Sequence, residues 1–150
     1  MDAATRSELE ELKYAYFRHL DLKEFEALGA LLTEDAEAAY DDGNLSFSGR
    51  DAIIEFLSGA MGNAGLISMH NGHHPELKLE SPDVAIGTWY LEDRVIIPEA
   101  DLEISGTAIY TDRYLRTADG WKISHTGYAR IFEEQRHHLN HQQISFKSRF

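Results

Sequence analysis

Ile67-Ser68-Met69-His70-Asn71-Gly72-His73-His74-Pro75 and, after a polar turn, Gly87-Thr88-Trp89-Tyr90-Leu91-Glu92-Asp93-Arg94 read as the two β-strands of one hairpin. A strand that only fills a core has no need of the chemistry carried here: three histidines, with Glu92 and Asp93 set among apolar neighbours. An unpaired ionised group in an apolar interior costs several kcal/mol, or shifts its pKa until it is neutral. Such residues are either solvated or gathered around a polar pocket, and their density in one hairpin points to the pocket.

Working outward, the strand pattern continues downstream. Residues 67–79, 84–97, 102–116 and 121–132 are long strands, separated by Ser81-Pro82-Asp83, Pro98-Glu99-Ala100-Asp101 and Ala118-Asp119-Gly120, each a turn by composition. Upstream the period becomes helical. Leu9, Leu12, Tyr16 and Leu20 recur at three- and four-residue steps, with Glu8, Glu10, Glu11, Lys13 and Arg18 between them. This predicts an amphipathic helix ending near Leu20 and Asp21. Phe25, Leu28, Leu31 and Leu32 predict a shorter helix, closed by Thr33-Glu34-Asp35. Residues 36–40 and 45–47 form a small hairpin about the turn signal Asp41-Asp42-Gly43-Asn44. Ser48, as N-cap, opens a third helix carrying Ile53, Ile54, Phe56, Leu57 and Met61, weakened and ended by Gly59, Gly62 and Gly65. Helices followed by a meander of long strands imply an α+β fold, three helices packed on one face of a strongly curved, mixed but mainly antiparallel sheet. The expected shape is a cone-shaped α+β barrel, one domain over residues 1–150, with a tail from about residue 135.

The chain has 150 residues, room for one domain with a true core. It carries 26 acidic and 14 basic side chains, a formal net charge of −12, which argues against nucleic acid or an anionic membrane as partner. Without cysteine there is no disulfide, zinc ribbon or thiol nucleophile. Met1-Asp2-Ala3-Ala4-Thr5-Arg6-Ser7-Glu8 has neither a basic nor an apolar leader region, and no apolar run approaches the roughly 18 residues of a membrane span. A cytoplasmic protein is expected.

Each polar residue of the hairpin and first helix also has an ordinary reading. Tyr16 on the apolar stripe fits a core tyrosine with its hydroxyl on nearby backbone. Asp21, where the first helix stops, fits a turn or capping carboxylate. A lone strand histidine such as His70 is more often structural. His70 and His73 face opposite sides of a regular strand and would share a metal only if Gly72 kinked the chain. No third ligand stands at a recognisable spacing, so no metal is expected. His137, His138 and His141 resemble a weak chelating cluster in a solvated tail. Asp93 shares strand parity with Trp89 and Leu91, and its natural partner is a histidine across the sheet, for which His70 is the candidate. A carboxylate on one ring nitrogen fixes the tautomer and raises the basicity of the other. Arg94 points the other way. Arg130 shares parity with Thr126, Tyr128 and Phe132, placed to pair with a carboxylate or face a substrate.

Ile67-Ser68-Met69-His70 with Gly72-His73 and Pro75-Glu76, Trp89-Tyr90-Leu91-Glu92-Asp93-Arg94, Tyr110-Thr111-Asp112 and Thr126-Gly127-Tyr128-Ala129-Arg130-Ile131 resemble the bacterial bile-acid 7α-dehydratase family. Tyr16-Phe17-Arg18 with Asp21 matches that family's N-terminal motif. The likeness spans nearly the whole chain, departing from the pattern over residues 98–105 and after Glu134. The family belongs with scytalone dehydratase, ketosteroid isomerase and the SnoaL-like polyketide cyclases in the nuclear-transport-factor-2 (NTF2) superfamily. The resemblance implies a cofactor-free, often trimeric enzyme whose catalytic set falls on Tyr16, Asp21, His70, Asp93 and Arg130.

It also implies the reaction: loss of water from a 7α-hydroxy-3-oxo-4-ene steroid, free or conjugated, to give a 4,6-diene. In this reading His70, oriented by Asp93 or Asp21, moves the proton; Tyr16 donates to a substrate oxygen; and Arg130 balances charge. Asp21 is the alternative base if an apolar pocket raises its pKa. Tyr40, Phe56, Leu57, Met61, Trp89 and Tyr128 are expected to line the steroid, with His73 as a further contact. Two other readings stay open: an isomerase or cyclase of the same fold on a steroid or polyketide, and a non-enzymatic carrier of an apolar ligand. Fold alone does not separate them.

Overall fold

The structure, a computed structural model, describes residues 1–137. Helix α1 (Ala3–Asp21) begins where the Asp2 carboxylate accepts the Thr5 amide at 2.8 Å, a side-chain cap on an otherwise unpaired donor. Its stripe of Thr5, Leu9, Lys13, Tyr16, Phe17 and Leu20 is buried. Helix α2 (Phe25–Ala30) follows, then strand β1 (Leu32–Tyr40), a turn of 3-10 helix at Asp41–Gly43, strand β2 (Leu45–Ser48) and helix α3 (Arg50–Met61). Asp41, Asp42 and Gly43 all take left-handed φ values, so the tip of this hairpin uses the short polar side chains and glycine that tolerate them. Four long strands complete the chain: β3 (Ile67–Ser81), β4 (Val84–Ile97), β5 (Leu102–Thr117) and β6 (Gly120–His137).

The strands form one six-stranded sheet in the order β2-β1-β6-β5-β4-β3. Every pairing is antiparallel except β1 with β6, which is parallel. Among the described residues the sheet does not close, with β2 and β3 at its edges; with the three helices on its concave side it makes an open α+β cone. Curvature has a local cause. Bulges interrupt β3 between His73 and Glu76, and the β5–β6 ladder at Thr107/Ala108 and Arg113/Tyr114. An extra residue in one strand bends it and increases its twist. At the β3 bulge His74 takes a φ of 49°, unusual for a residue with a side chain.

Alternation then sorts the side chains. On β4, Ala85, Gly87, Trp89, Leu91 and Asp93 are buried against the helices, and Tyr90, Glu92 and Arg94 face outward. On β5 the inward set is Ala108, Tyr110, Asp112 and Tyr114. Gly72 on β3 is required by close approach: a Cβ there would stand 2.6 Å from Phe17 Cε2. The core joins these faces to Leu9, Tyr16, Phe17, Leu20, Leu28, Ile53 and Leu57 of the helices.

Five local expectations are corrected. Leu31 and Leu32 do not extend the second helix; it stops at Ala30, and Leu32 starts β1 opposite Ile123. The polar run Thr33-Glu34-Asp35 falls where the β1–β6 register shifts between Leu32 and Glu37, so it marks an irregular strand rather than a helix end. Ser48 ends β2 and does not cap α3; the cap position is Gly49, at φ 90°, and no side chain bonds there. The expected tail is ordered at least to His137, because Gln135, Arg136 and His137 pair with Ile104, Glu103 and Leu102. Of the histidine cluster, His138 and His141 lie outside the described residues. Lys13, expected on the solvated side of α1, is wholly buried. No helix among the described residues is long and apolar enough to cross a membrane.

Candidate active site

The concave face carries two hydrogen-bonded pairs side by side, each built on a carboxylate. His70 and Asp93 are directly opposite one another on β3 and β4, both inward, where Cβ atoms of facing residues stand about 5 Å apart. Their side chains nevertheless turn to different partners. His70 Nδ1 lies 2.6 Å from Asp21 Oδ1 at the last residue of α1. The same carboxylate accepts the Ser68 hydroxyl at 2.7 Å and the His70 main-chain amide at 2.9 Å. Asp21 therefore neither caps α2 nor sits in a solvated turn; it ties the end of α1 to β3. An ionised carboxylate accepts from Nδ1–H, which leaves Nε2, on the far side of the ring, as the basic nitrogen. Phe17 stacks on the imidazole with planes 2° apart and holds its orientation.

Asp93 binds Arg130 instead of His70. Both guanidinium nitrogens Nη1 and Nη2 donate to its two oxygens, the second at 2.8 Å. The fork of an arginine matches both carboxylate oxygens at once, and an imidazole supplies one donor, which decides the pairing. The bond to Asp93 raises the Arg130 pKa above its ordinary value, so the cation is permanent. Side chains of His70 and Asp21 keep 9 % and 20 % of their surface exposed, so this layer is deep but open to solvent.

A layer of phenols lies against it. The Tyr16 and Tyr40 hydroxyls are 2.7 Å apart, so the partner of Tyr16 is a second hydroxyl rather than backbone. Tyr110 and Tyr128 pack at 5.4 Å between centroids, Tyr40 and Tyr128 at 5.9 Å, and the Arg130 guanidinium lies 5.1 Å from the Tyr128 ring centre. Burial pushes Tyr16, Tyr40 and Tyr110 well above the ordinary phenol pKa, so they stay neutral.

The expected lining residues divide. Phe56 stacks on Tyr40 and Phe47, and Leu57 and Met61 join the same apolar cluster beneath α3. Trp89 is completely buried, its Nε1 donating to the Tyr114 hydroxyl at 3.0 Å, so it is core beneath the site. His73 is not on this face. It alternates with Gly72, stands 3.5 Å from the outward Glu92, and lines a hollow of about 540 Å³ on the outer side of the sheet with Tyr90, Thr107 and Phe132. Among the described residues no three of His, Asp or Glu converge as metal ligands.

Three residues of this region were not singled out for the site from sequence: Ser68, Lys13 and Asp112. Lys13 stands four residues after Leu9 and three before Tyr16, and Asp112 shares parity with Tyr110 and Tyr114. A basic and an acidic residue each placed on an apolar stripe are the signal that would have found the pair.

Residues 1–127 match the model of the SnoaL-like domain. The chain belongs to the SnoaL-like family. Solved structures agree on the NTF2-like fold. A provisionally named scytalone dehydratase from Novosphingobium aromaticivorans superposes with a TM-score of 0.80 at 22 % identity, covering 89 % of this chain and 88 % of its own. A hexachlorocyclohexane dehydrochlorinase (LinA, type 2) gives 0.79 at 19 % identity over 89 % of each chain. An NTF2-like protein with a cystatin-like fold, also from N. aromaticivorans, gives 0.71 at 22 % identity, covering 85 % of this SnoaL-like chain and 82 % of its own.

Proposed function

We propose that this SnoaL-like protein is a hydro-lyase that removes water from a hydroxysteroid of the 7α-hydroxy-3-oxo-4-ene type. The observation that carries the reading is the His70–Asp21 contact, a histidine oriented by a carboxylate on the concave face of the cone. The sequence motifs supply the substrate class. Two structural neighbours, one named for dehydration and one for dehydrochlorination, support elimination chemistry on this fold.

In the proposed reaction Nε2 of His70 takes the C6 proton, which the conjugated enone has made acidic. The C6–H electrons form the C6–C7 double bond through a dienolate with charge on the C3 oxygen. The Tyr16–Tyr40 hydroxyl pair is the donor for that oxygen. The C7–O bond then breaks, and the imidazolium returns its proton to the leaving hydroxyl, so water departs and the enzyme is unchanged. Asp21 already accepts three hydrogen bonds, which favours its orienting role over that of base. Asp93 holds Arg130 beside the site through two hydrogen bonds and balances its charge. Positioned acid–base groups contribute typically about 10² to 10⁴ in rate, and donors aimed at the oxyanion about 10² to 10³.

Incubation with a 7α-hydroxy-3-oxo-4-ene steroid, followed by mass spectrometry, tests this. Loss of one water by the wild type and its suppression in His70→Ala is the expected result. A product of unchanged mass would make the protein an isomerase, and equal turnover by the variant would remove His70 from the reaction. A carrier has no need of a histidine bonded to a carboxylate side chain. The exposed Tyr90, Ile131 and Phe132 on the outer face are further proposed to pack against other copies of the chain, a trimer by family resemblance.

A further inference from the structure

The proposed reaction makes no use of the wholly buried ion pair of Lys13 and Asp112. Lys13 is fully buried, and its ammonium lies 3.0 and 2.9 Å from the two oxygens of Asp112, which is also buried. The carboxylate end is saturated by other donors: Thr126 Oγ1 at 2.7 Å and the Tyr114 hydroxyl at 2.8 Å. The ammonium end faces rings. Its nitrogen stands 3.7 Å from the centre of Tyr110, 4.7 Å from Tyr16 and 4.8 Å from Phe17. These are the rings that touch His70 and carry the hydroxyls of the site.

A buried ion pair is a poor source of stability, since apolar residues of the same volume often serve as well or better. What this pair provides is direction. Its positive end stands against the Tyr110, Tyr16 and Phe17 rings, with Thr126 Oγ1 a further 3.4 Å contact, while Tyr114 and Thr126 donate to its negative end. A fixed dipole aimed at the place where negative charge develops stabilises that charge without reorganisation.

We propose that Lys13 and Asp112 form an oriented charge dipole that strengthens the Tyr16–Tyr40 hydroxyl pair as donor to a substrate oxyanion, Lys13 being a positioning residue that never touches substrate. The proposal deepens the reading above and rests on its donor assignment, not on the identity of the steroid. At an effective dielectric constant near 20, a dipole about 3 Å long acting over about 8 Å changes oxyanion affinity roughly threefold.

The test uses 4-nitrophenol, whose bound phenol and phenolate forms are told apart by visible absorbance. The wild type should hold phenolate in preference to phenol. The charge-neutral double variant Lys13→Met with Asp112→Asn, folded by circular dichroism, should lose about threefold of that preference. With a steroid substrate its kcat should fall and its KM stay. A second neutral pair, Lys13→Gln with Asp112→Asn, keeps a hydrogen bond in place of the charges and should behave alike. An unchanged preference in either folded variant overturns the proposal, as does a wild type that does not favour phenolate. Failure of both pairs to fold assigns Lys13 and Asp112 to the scaffold and overturns it too. A normal probe response without steroid turnover would sink the dehydratase reading alone.

Discussion

Replacing Asp21 by Asn should separate the fold from the chemistry. Asp21 Oδ2 accepts the His70 amide, and Oδ1 accepts both the Ser68 hydroxyl and His70 Nδ1. An asparagine keeps the first bond only if its carbonyl oxygen takes the Oδ2 position, because a backbone N–H cannot turn to accept. Its NH₂ group then faces Ser68 and the imidazole. The hydroxyl rotates to accept, and the imidazole accepts at Nδ1 only by moving its proton to Nε2. All three contacts survive, the two to Ser68 and the imidazole with their polarity reversed, so the stability loss should stay within about 1–2 kcal/mol, the scale of weakening charge-assisted hydrogen bonds to neutral ones. The base, however, is now protonated on the nitrogen that should receive the proton. In serine proteases a wrong tautomer of this kind lowers kcat by about 10⁴. Dehydration by Asp21→Asn should therefore fall by about 10² to 10⁴ while the melting temperature moves by only a few degrees. Nitrogen-15 NMR of His70 reads the tautomer directly, with or without substrate. A variant that keeps Nδ1–H, or one that unfolds, would refute the reasoning.

Alkaline pH should unfold the protein steeply. Burial holds Tyr16, Tyr40, Tyr110 and Tyr114 well above the ordinary phenol pKa of 10.0, so above that pH the folded state binds more protons than the unfolded one and loses stability. Four phenols at about 1.4 kcal/mol per pH unit each give a limiting slope of about 5.6 kcal/mol per unit. Lys13, whose pKa burial lowers, offsets one of them up to pH 10.5. In urea titrations, the phenolate absorbance of these residues should rise together with loss of helix, and ionisation without unfolding would contradict their burial. Gly72→Ala should cost about 1–3 kcal/mol as the new methyl displaces the Phe17 ring from His70, measured by denaturant midpoint. The proposed trimer predicts that Tyr90→Lys with Phe132→Lys lowers the mass seen by light scattering toward one chain, with secondary structure intact; an unchanged mass, or a wild type that is already one chain, would overturn that proposal.

The long strands were legible because turn chemistry punctuates them. Ser81-Pro82-Asp83 and Ala118-Asp119-Gly120 fixed the hairpins, and β4 begins and ends as its pattern predicts. Leu32 was misread because a leucine after a helical run looks the same whether it finishes the helix or enters a sheet. Its partner Ile123 lies far along the chain, beyond the reach of any local window. The site divides in the same way. Residue types on inward parities identified His70, Asp93 and Arg130 as candidates. Their pairing turned on the end of α1 arriving beside β3 and on the fit of a guanidinium to two oxygens, both matters of tertiary geometry. Lys13 was missed for a chemical reason: a lysine on a helix is ordinarily solvated, and only the far-off Asp112 makes its burial tolerable.

The parallel joint between β1 and β6 also governs the order of events during synthesis. Ala38 and Ala39 hydrogen-bond beside Thr126 and Gly127, so the small N-terminal hairpin has no place in the sheet until those later residues have emerged. Local rules favour assembly of the β3-to-β6 meander first, with β1, β2 and their helices docking onto it afterwards, because distant pairings pay their loop-closure entropy before any contact rewards it. A nascent chain halted before residue 126 would display the greasy side of α1 and an unpaired β1 edge together. Such a fragment is a natural client for chaperones and a poor candidate for independent expression.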